Sequence, residues 1–171
     1  MTTMTSTVIG IALGLLILVL SVVWFASIWN NYVMTFAAGL RELSEYVSYR
    51  SKASFKVVNA SLISGTTIEA YVENNGGVDV IIDNSSIVIA VYINASVERR
   101  DIGVYGKDWI VDQVVVGTLS RSIAPGEPFS LEPGALMHLV FNITRIPDAN
   151  TSIRFIISDG KGVVATYVFQ S

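Results

Sequence analysis

The sequence predicts an α+β protein in which a long N-terminal transmembrane α-helix is followed by an immunoglobulin-like antiparallel β-sandwich. Three observations predict it. The first 40 of the 171 residues carry no charge, because every charged side chain lies at or after Arg41. That segment contains an unbroken apolar run, Val8–Trp29. From Phe55 onward, short runs of β-branched residues alternate with Gly, Pro and Asn turns. We expect two domains, residues 1–50 and residues 51–171.

The apolar run Val8–Trp29 predicts a membrane span. It has no charged or amide side chain, and at about 1.5 Å per residue it covers roughly 33 Å, enough for the hydrocarbon core of a bilayer. A cleaved secretory signal is the competing interpretation. Such a signal has a shorter apolar core and a basic leader, whereas no Lys or Arg precedes Val8. We therefore expect a retained anchor.

The helix is expected to continue beyond the membrane, from about residue 7 to residue 49. Apolar residues recur every three or four positions and form a stripe on one helical face. The residues of this helix stripe are Tyr32, Phe36, Leu40, Leu43 and Val47. The stripe is a candidate assembly face. The sequence leaves open whether it docks on the protein's own domain or packs against identical helices.

The rest of the chain predicts about eight short strands with no helix between them, which is typical of a β-sandwich. The turn signals include Asn74–Gly77, Pro133-Gly134 and Asp159–Gly162. Because Val97–Lys107 is rich in charge and glycine, it is interpreted as an exposed loop. The expected strands are Phe55–Ser61, Thr67–Glu73, Val78–Ile82, Ile87–Ala95, Trp109–Leu119, Ala135–Ile143, Ser152–Ile157 and Val163–Phe169.

Two signals disagree about which side of the membrane the sandwich occupies. Arg41, Arg50 and Lys52 follow the span and no basic residue precedes it, which favours a cytoplasmic C-terminus. Five Asn-X-Ser/Thr sequons favour export, because N-glycosylation belongs to exported surfaces. We expect the domain to lie outside the cell. The glycosylation candidates are Asn59, Asn84, Asn94, Asn142 and Asn150.

The residues offer little for catalysis. The chain has no cysteine, which excludes thiol chemistry and zinc–thiolate sites. The one histidine, His138, alternates with apolar residues in an expected strand, and no motif marks a nucleophile for it to activate. Asp101, Asp108 and Asp112 match no calcium-loop spacing. We expect a protein that is not an enzyme, with no cofactor and no metal site. Nucleic-acid binding is not expected either, because the domain shows no basic run.

One charged segment is a candidate contact site. Arg99 and Arg100 lie in the expected loop Val97–Lys107, with Trp109 just after it. Arg and Trp are enriched at the centres of protein interfaces. These three residues are therefore the partner-contact candidates.

The order of parts and three turn phrases resemble the archaeal type IV pilin-like superfamily, and within it the F- and G-type accessory (stator) proteins of the archaellum. The phrases are Val72-Glu-Asn-Asn-Gly-Gly-Val-Asp-Val80, Leu131-Glu-Pro-Gly134 and Ser158-Asp-Gly-Lys-Gly162. The resemblance covers nearly the whole chain as a layout. One departure is that nothing basic precedes Val8, whereas prepilins and archaellins carry a short basic leader. Either the chain is already processed or it keeps its N-terminus, and the second option fits the accessory proteins better.

The resemblance implies a structural component of an archaeal surface appendage, anchored in the cell membrane by a single span. Its expected partners are the membrane, other copies of itself, and a surface-layer protein or other archaellum components. A filament-forming archaellin or pilin subunit is the first alternative. A single-span binding or sensor protein is the second, and it would need a concave apolar pocket with converging polar groups.

Overall fold

The computed structural model describes residues 2–171, with side chains from Val8 onward. The chain divides into two compact units, the residues up to Glu45 and Tyr46–Ser171. The elements are α1 (Thr2–Lys52), β1 (Phe55–Ser64), β2 (Thr67–Asn74), β3 (Val80–Ile82), β4 (Ile87–Asn94), β5 (Val97–Val104), β6 (Trp109–Val116), β7 (Leu119–Ser122), β8 (Phe129–Leu131), β9 (Leu136–Asn142), β10 (Ser152–Ser158) and β11 (Val164–Gln170).

The N-terminal segment forms one continuous helix, as the sequence predicts. It begins at Thr2, before the expected start near residue 7, and ends at Lys52, three residues after the expected end. No proline interrupts it, and Gly10, Gly14 and Gly39 are accommodated without a break. The stretch Val8–Lys52 is long and apolar enough to cross a membrane, and none of its most apolar window is buried within the chain. The helix is therefore a candidate single span.

The remaining strands form two main antiparallel sheets, which confirms the predicted α+β class with a sandwich. The five-stranded sheet has the order β1-β2-β9-β6-β7, and the four-stranded sheet has the order β11-β10-β4-β5. A small third sheet pairs β3 with β8. Hairpins link β1 with β2, β4 with β5, and β10 with β11.

The core lies between the two large sheets, because alternate residues of each strand point inward. In the five-stranded sheet the fully buried side chains include those of Ile68 and Val72 in β2 and Phe141 in β9. In the four-stranded sheet they include Tyr92 in β4 and Phe155 in β10. Fully burying one aliphatic or aromatic side chain contributes about 1.5–3 kcal/mol, so this layer is the main source of the sandwich's stability.

The interpretation of Val97–Lys107 as a loop is wrong. Val97–Val104 is strand β5, which pairs with β4 from Val97↔Asn94 to Val104↔Ile87. Its charged residues are tolerated because β5 is an edge strand, where charge also discourages pairing with other chains. Charge density therefore misled the prediction, although the period-two placement of Arg99, Asp101 and Gly103 is strand-like.

Two short strands, β7 and β8, are not among the strands that the sequence predicts. The expected strand Trp109–Leu119 divides at Gly117 into β6 and β7, which form a tight hairpin with Gly117 at φ +60°. β8 is only three residues long. Segments this short carry too few residues for periodicity to be detected.

Candidate interaction sites

The helix stripe is exposed along its whole length. Its side chains range from 52% exposed at Leu40 to 71% at Tyr32. Exposed apolar surface of this extent marks contact with lipid or with protein. The role of the stripe as an assembly face remains a prediction.

The last turns of α1, from Tyr46 to Lys52, belong to the same compact unit as the sandwich, and the turn between β10 and β11 holds them from one side. The Tyr49 hydroxyl donates a 2.6 Å hydrogen bond to Oδ2 of Asp159. The other carboxylate oxygen of Asp159 accepts the backbone N–H groups of Lys161 and Val163, at 3.0 and 2.7 Å. The Lys161 ammonium lies 4.4 Å from the centre of the Tyr49 ring, within cation–π range.

The Asn74–Gly77 turn holds the same helix end from a second side. The Gly77 N–H donates to the carbonyl of Lys52 at 2.8 Å, so it satisfies a carbonyl that the helix itself leaves without a donor. Gly76 is required there, because a Cβ on it would lie 2.5 Å from the Lys52 oxygen. We call the contacts of these two turns with Tyr46–Lys52 the helix joint.

Asn74 organises this part of the helix joint from a fully buried position. Its side-chain amide donates to the carbonyls of Val78 at 2.9 Å and Leu131 at 2.7 Å. Its side-chain oxygen accepts the Gly76 N–H at 3.0 Å. Every polar atom of the side chain is therefore paired, as the cost of burying an unpaired polar group demands.

Replacing Asn74 with Ala is expected to lower the free energy of unfolding by about 2–4 kcal/mol, because two buried carbonyls and one N–H lose their partner. Chemical denaturation of the detergent-solubilised chain, followed by tryptophan fluorescence, measures the change. Asn75→Ala is the matched control, since Asn75 is the exposed neighbour in the same turn. Equal stability of the two variants would contradict this account of the turn.

The partner-contact candidates do not form one surface. Trp109 is 1% exposed and lies in the core, where its ring packs 4.9 Å from that of Tyr105. Its prediction as a contact residue is therefore wrong. Arg100 is exposed and pairs with Glu98 at 2.8 Å. Arg99 is partly buried on the opposite side of β5, because neighbouring strand residues face opposite ways.

The five sequons lie at unequal positions. Asn59, Asn84, Asn142 and Asn150 are exposed, whereas Asn94 is half-buried. The Asn94 amide nitrogen donates to the carbonyl of Ile146 at 2.8 Å, so attaching a glycan there would compete with this bond. Glycosylation of any of these asparagines remains a prediction.

Asp148 holds the turn that contains the Asn94 sequon. Ala95 and Ser96 have positive φ angles of 49° and 62°, a conformation disfavoured for residues with a side chain. Their backbone N–H groups donate to Oδ1 and Oδ2 of Asp148, at 2.9 and 3.0 Å. These two bonds stabilise the carboxylate form and lower the pKa of Asp148.

The lowered pKa of Asp148 predicts acid sensitivity. A carboxyl group whose pKa is depressed in the folded state stabilises the fold above its unfolded pKa, and loses that effect as the pH falls through the folded value. Asp148→Asn is expected to lower the Tm at pH 7, with a smaller difference from wild type at pH 3. Thermal unfolding followed by circular dichroism at both pH values tests this. Glu132→Gln is the control, since Glu132 is exposed and its side chain makes no hydrogen bond within the described residues. If Asp148→Asn lowered the Tm equally at both pH values, the result would contradict a stabilising role for the Asp148 carboxylate.

The three aspartates considered as cation ligands make separate hydrogen bonds and do not form one site. Asp101 accepts bonds from Tyr92 and from Thr144. Burial works against its ionisation, but these bonds outweigh that effect and lower its pKa. Asp108 accepts the N–H of Val104. No group of three metal-ligating residues occurs in the described part of the chain.

His138 has a more defined setting than the sequence suggested. Its Nδ1 lies 2.6 Å from Asp112 and its Nε2 lies 3.4 Å from Glu69. The Tyr71 ring packs against it at a tilt of 35°, with ring centres 4.7 Å apart. Because the three strands β2, β9 and β6 are neighbours, these side chains form a polar row on the outer face of the five-stranded sheet. No serine, threonine or cysteine nucleophile pairs with His138 in the described chain.

One apolar surface was not foreseen. The outer face of the four-stranded sheet carries aliphatic side chains on all four strands around a shallow groove of about 490 Å³. We call it the open sheet face. Its defining residues are Ile89, Val91, Ile93, Ile102, Ile156 and Val168.

Two solved structures with a similar fold come from the archaeal motility apparatus. A chain of the archaellum periplasmic stator protein complex FlaF and FlaG from Sulfolobus acidocaldarius is similar, with TM-score 0.51 and 18% identity over 68% of this chain and 88% of that chain. The archaellum periplasmic stator protein FlaG from the same organism has TM-score 0.50 and 18% identity, over 68% of this chain and 99% of that chain. The sandwich has the fold of an archaellum stator domain.

Other comparisons add less. The archaeal flagellum of Methanospirillum hungatei strain JF1 aligns over 92% of both chains, but a TM-score of 0.42 and 12% identity are too weak to bear on the fold. No protein-family model matches the chain, and no curated protein matches it. The likeness to the stator proteins agrees with the resemblance that the turn phrases indicated.

Proposed function

We propose that the protein is a membrane-anchored structural component of an archaeal surface appendage, acting as an archaellum stator or accessory protein. The observation that carries the proposal is the stator-type sandwich joined without a break to an apolar helix long enough to span a membrane. Both neighbours are named as periplasmic stator proteins, and the same role would place this sandwich outside the cell. Four exposed sequons support that location.

A stator must resist torque, and the helix joint suits that task. The Tyr49–Asp159 bond and the Gly77–Lys52 bond tie the last turns of α1 to two different turns of the sandwich. A helix that passes directly into such contacts transmits force better than a flexible Gly/Ser linker, which behaves as a random coil. The sandwich would then bind the surface layer or other archaellum components.

A filament-forming archaellin or pilin subunit is the second candidate, favoured by the exposed helix stripe. Its residues from Tyr32 to Val47 are the kind of surface that identical helices bury against one another. Within the described residues, no polar cluster with a nucleophile favours an enzyme, and the binding or sensor alternative has only the shallow groove of the open sheet face.

Electron microscopy of the full-length chain in mild detergent, with intact-mass analysis of the same sample, tests the proposal. Single particles or small oligomers that retain Met1 or Thr2 are expected. Filaments with a processed N-terminus would contradict the stator role and establish the filament subunit. For the location, we expect a mass excess over the polypeptide that disappears when the five sequon asparagines are changed to Gln. An unmodified mass would remove the sequon support for export.

A further inference from the structure

The pair Asn75-Gly76 is a chemically labile point within the helix joint. It is the one Asn-Gly pair in the chain. A glycine after an asparagine leaves its backbone nitrogen unhindered, because no Cβ blocks the approach to the asparagine side chain. Asn75 is exposed on the turn, so water can reach its amide group. An unrestrained Asn-Gly pair deamidates readily, and only the surrounding structure can slow it.

Deamidation at this pair uses two groups of the chain and water. The backbone nitrogen of Gly76 loses its proton and attacks Cγ of Asn75, so that a C–N bond closes a five-membered succinimide ring. The bond from Cγ to the side-chain nitrogen breaks, and that nitrogen leaves with the proton as ammonia. Water then opens the ring. Opening at the side-chain carbonyl gives aspartate, and opening at the main-chain carbonyl gives isoaspartate.

The helix joint holds the attacking nitrogen in place. The Gly76 N–H donates to Oδ1 of Asn74 at 3.0 Å, so this nitrogen cannot turn toward the neighbouring side chain while the bond is made. The N–H groups on either side are also bonded, that of Asn75 to the carbonyl of Ser54 at 3.1 Å and that of Gly77 to the end of the helix at 2.8 Å. Three consecutive backbone N–H groups are therefore fixed at the labile pair.

The other turn of the helix joint contains a second pair that cyclises in the same way. Asp159-Gly160 is the one Asp-Gly pair in the chain. The Asp159 carboxylate is 3% exposed, and it accepts bonds from the Tyr49 hydroxyl and from the N–H groups of Lys161 and Val163. Its Cγ cannot turn toward the next nitrogen without breaking them. Both labile pairs thus lie where the helix end meets the sandwich, and both are held by hydrogen bonds.

We propose that Asn75 is a deamidation site that the helix joint protects, so that its reaction marks chains in which the joint has opened. The bonds around Gly76 must break before its nitrogen can attack. The rate of deamidation is then the open fraction of the joint multiplied by the rate of an unrestrained Asn-Gly pair. This modification is independent of the structural role proposed above.

The product weakens the joint that delays its formation. Isoaspartate adds one carbon atom to the backbone just before Gly76, which has no room to shift, since a Cβ on it would lie 2.5 Å from the Lys52 oxygen. Both products also place a negative charge beside the last carbonyl groups of a helix, where the helix dipole disfavours an anion. A modified chain therefore keeps a weakened joint.

The test follows the full-length chain in mild detergent at mildly alkaline pH, with peptide mapping that resolves aspartate and isoaspartate at position 75. The same chain unfolded in guanidinium chloride gives the unrestrained rate, and this comparison needs no variant. Deamidation of the folded chain is expected to be at least about tenfold slower, and the slowing should match the protection of the Gly76 amide against hydrogen exchange. Equal rates in the two states would overturn the proposal, as would an unfolded chain that does not react at Asn75.

Tyr49→Phe tests whether the helix end controls the rate. It removes the bond to Asp159 and changes nothing within the Asn74–Gly77 turn. Losing one hydrogen bond raises the open fraction, so deamidation is expected to be about threefold faster or more. Tyr71→Phe is the matched control, since Tyr71 lies on the outer face of the five-stranded sheet, and its rate is expected to equal that of wild type. Equal rates in the two variants would overturn the protection by the joint.

The effect of the product is measured on the modified chain itself. Its extra negative charge allows separation from the unmodified chain by ion exchange. Hydrogen exchange at the Gly77 amide is expected to be faster in the modified fraction, with no change at a core residue such as Leu139. Equal exchange at Gly77 in both fractions would contradict the weakening of the joint.

Discussion

The rest of the structure depends on the hydrogen bonds between the turns of the sandwich and the last turns of the helix. A helix leaves its last carbonyl groups without donors, and here the backbone of Gly77 supplies one to Lys52. Asp159 supplies an acceptor to Tyr49 while it also holds its own turn together. The helix therefore ends inside the polar framework of the sandwich, with no free linker between them.

The sequence predicted the large parts of the fold because each has a strong local signal. A long uncharged run of apolar residues predicts a continuous apolar helix, and the turn phrases at Asn74–Gly77 and Asp159–Gly162 mark turns of the structure. The sequence did not show that both turns contact the same helix end. Gly77 and Lys52 meet only through tertiary structure, and no local pattern encodes a carbonyl that lacks a donor.

The errors have a common physical origin, which is that burial depends on position in a sheet. Trp109 follows a charged segment and was taken for a surface residue, but its place at the start of a central strand puts it in the core. The charges of Arg99 and Arg100 suggested a loop, whereas an edge strand tolerates them. The open sheet face was missed because an apolar run such as Ile87–Ile93 does not by itself show which side of the strand lies in the core.

The helix stripe and the open sheet face are two exposed apolar surfaces of the described chain. Both are aliphatic or aromatic, and neither holds a cluster suited to chemistry. Surfaces of this composition suit the structural role proposed above, in which the protein would hold other proteins in place.

The most direct test of the central claim is hydrogen exchange at the helix joint in the full-length chain. The amide of Gly77 donates to the carbonyl of Lys52, so its exchange reports the joint itself. Protection close to that of core strand residues such as Leu139 is predicted, because opening these bonds would require the sandwich to open. Exchange as fast as in a free loop would contradict the account, since the helix would then be attached to the sandwich by a flexible connection.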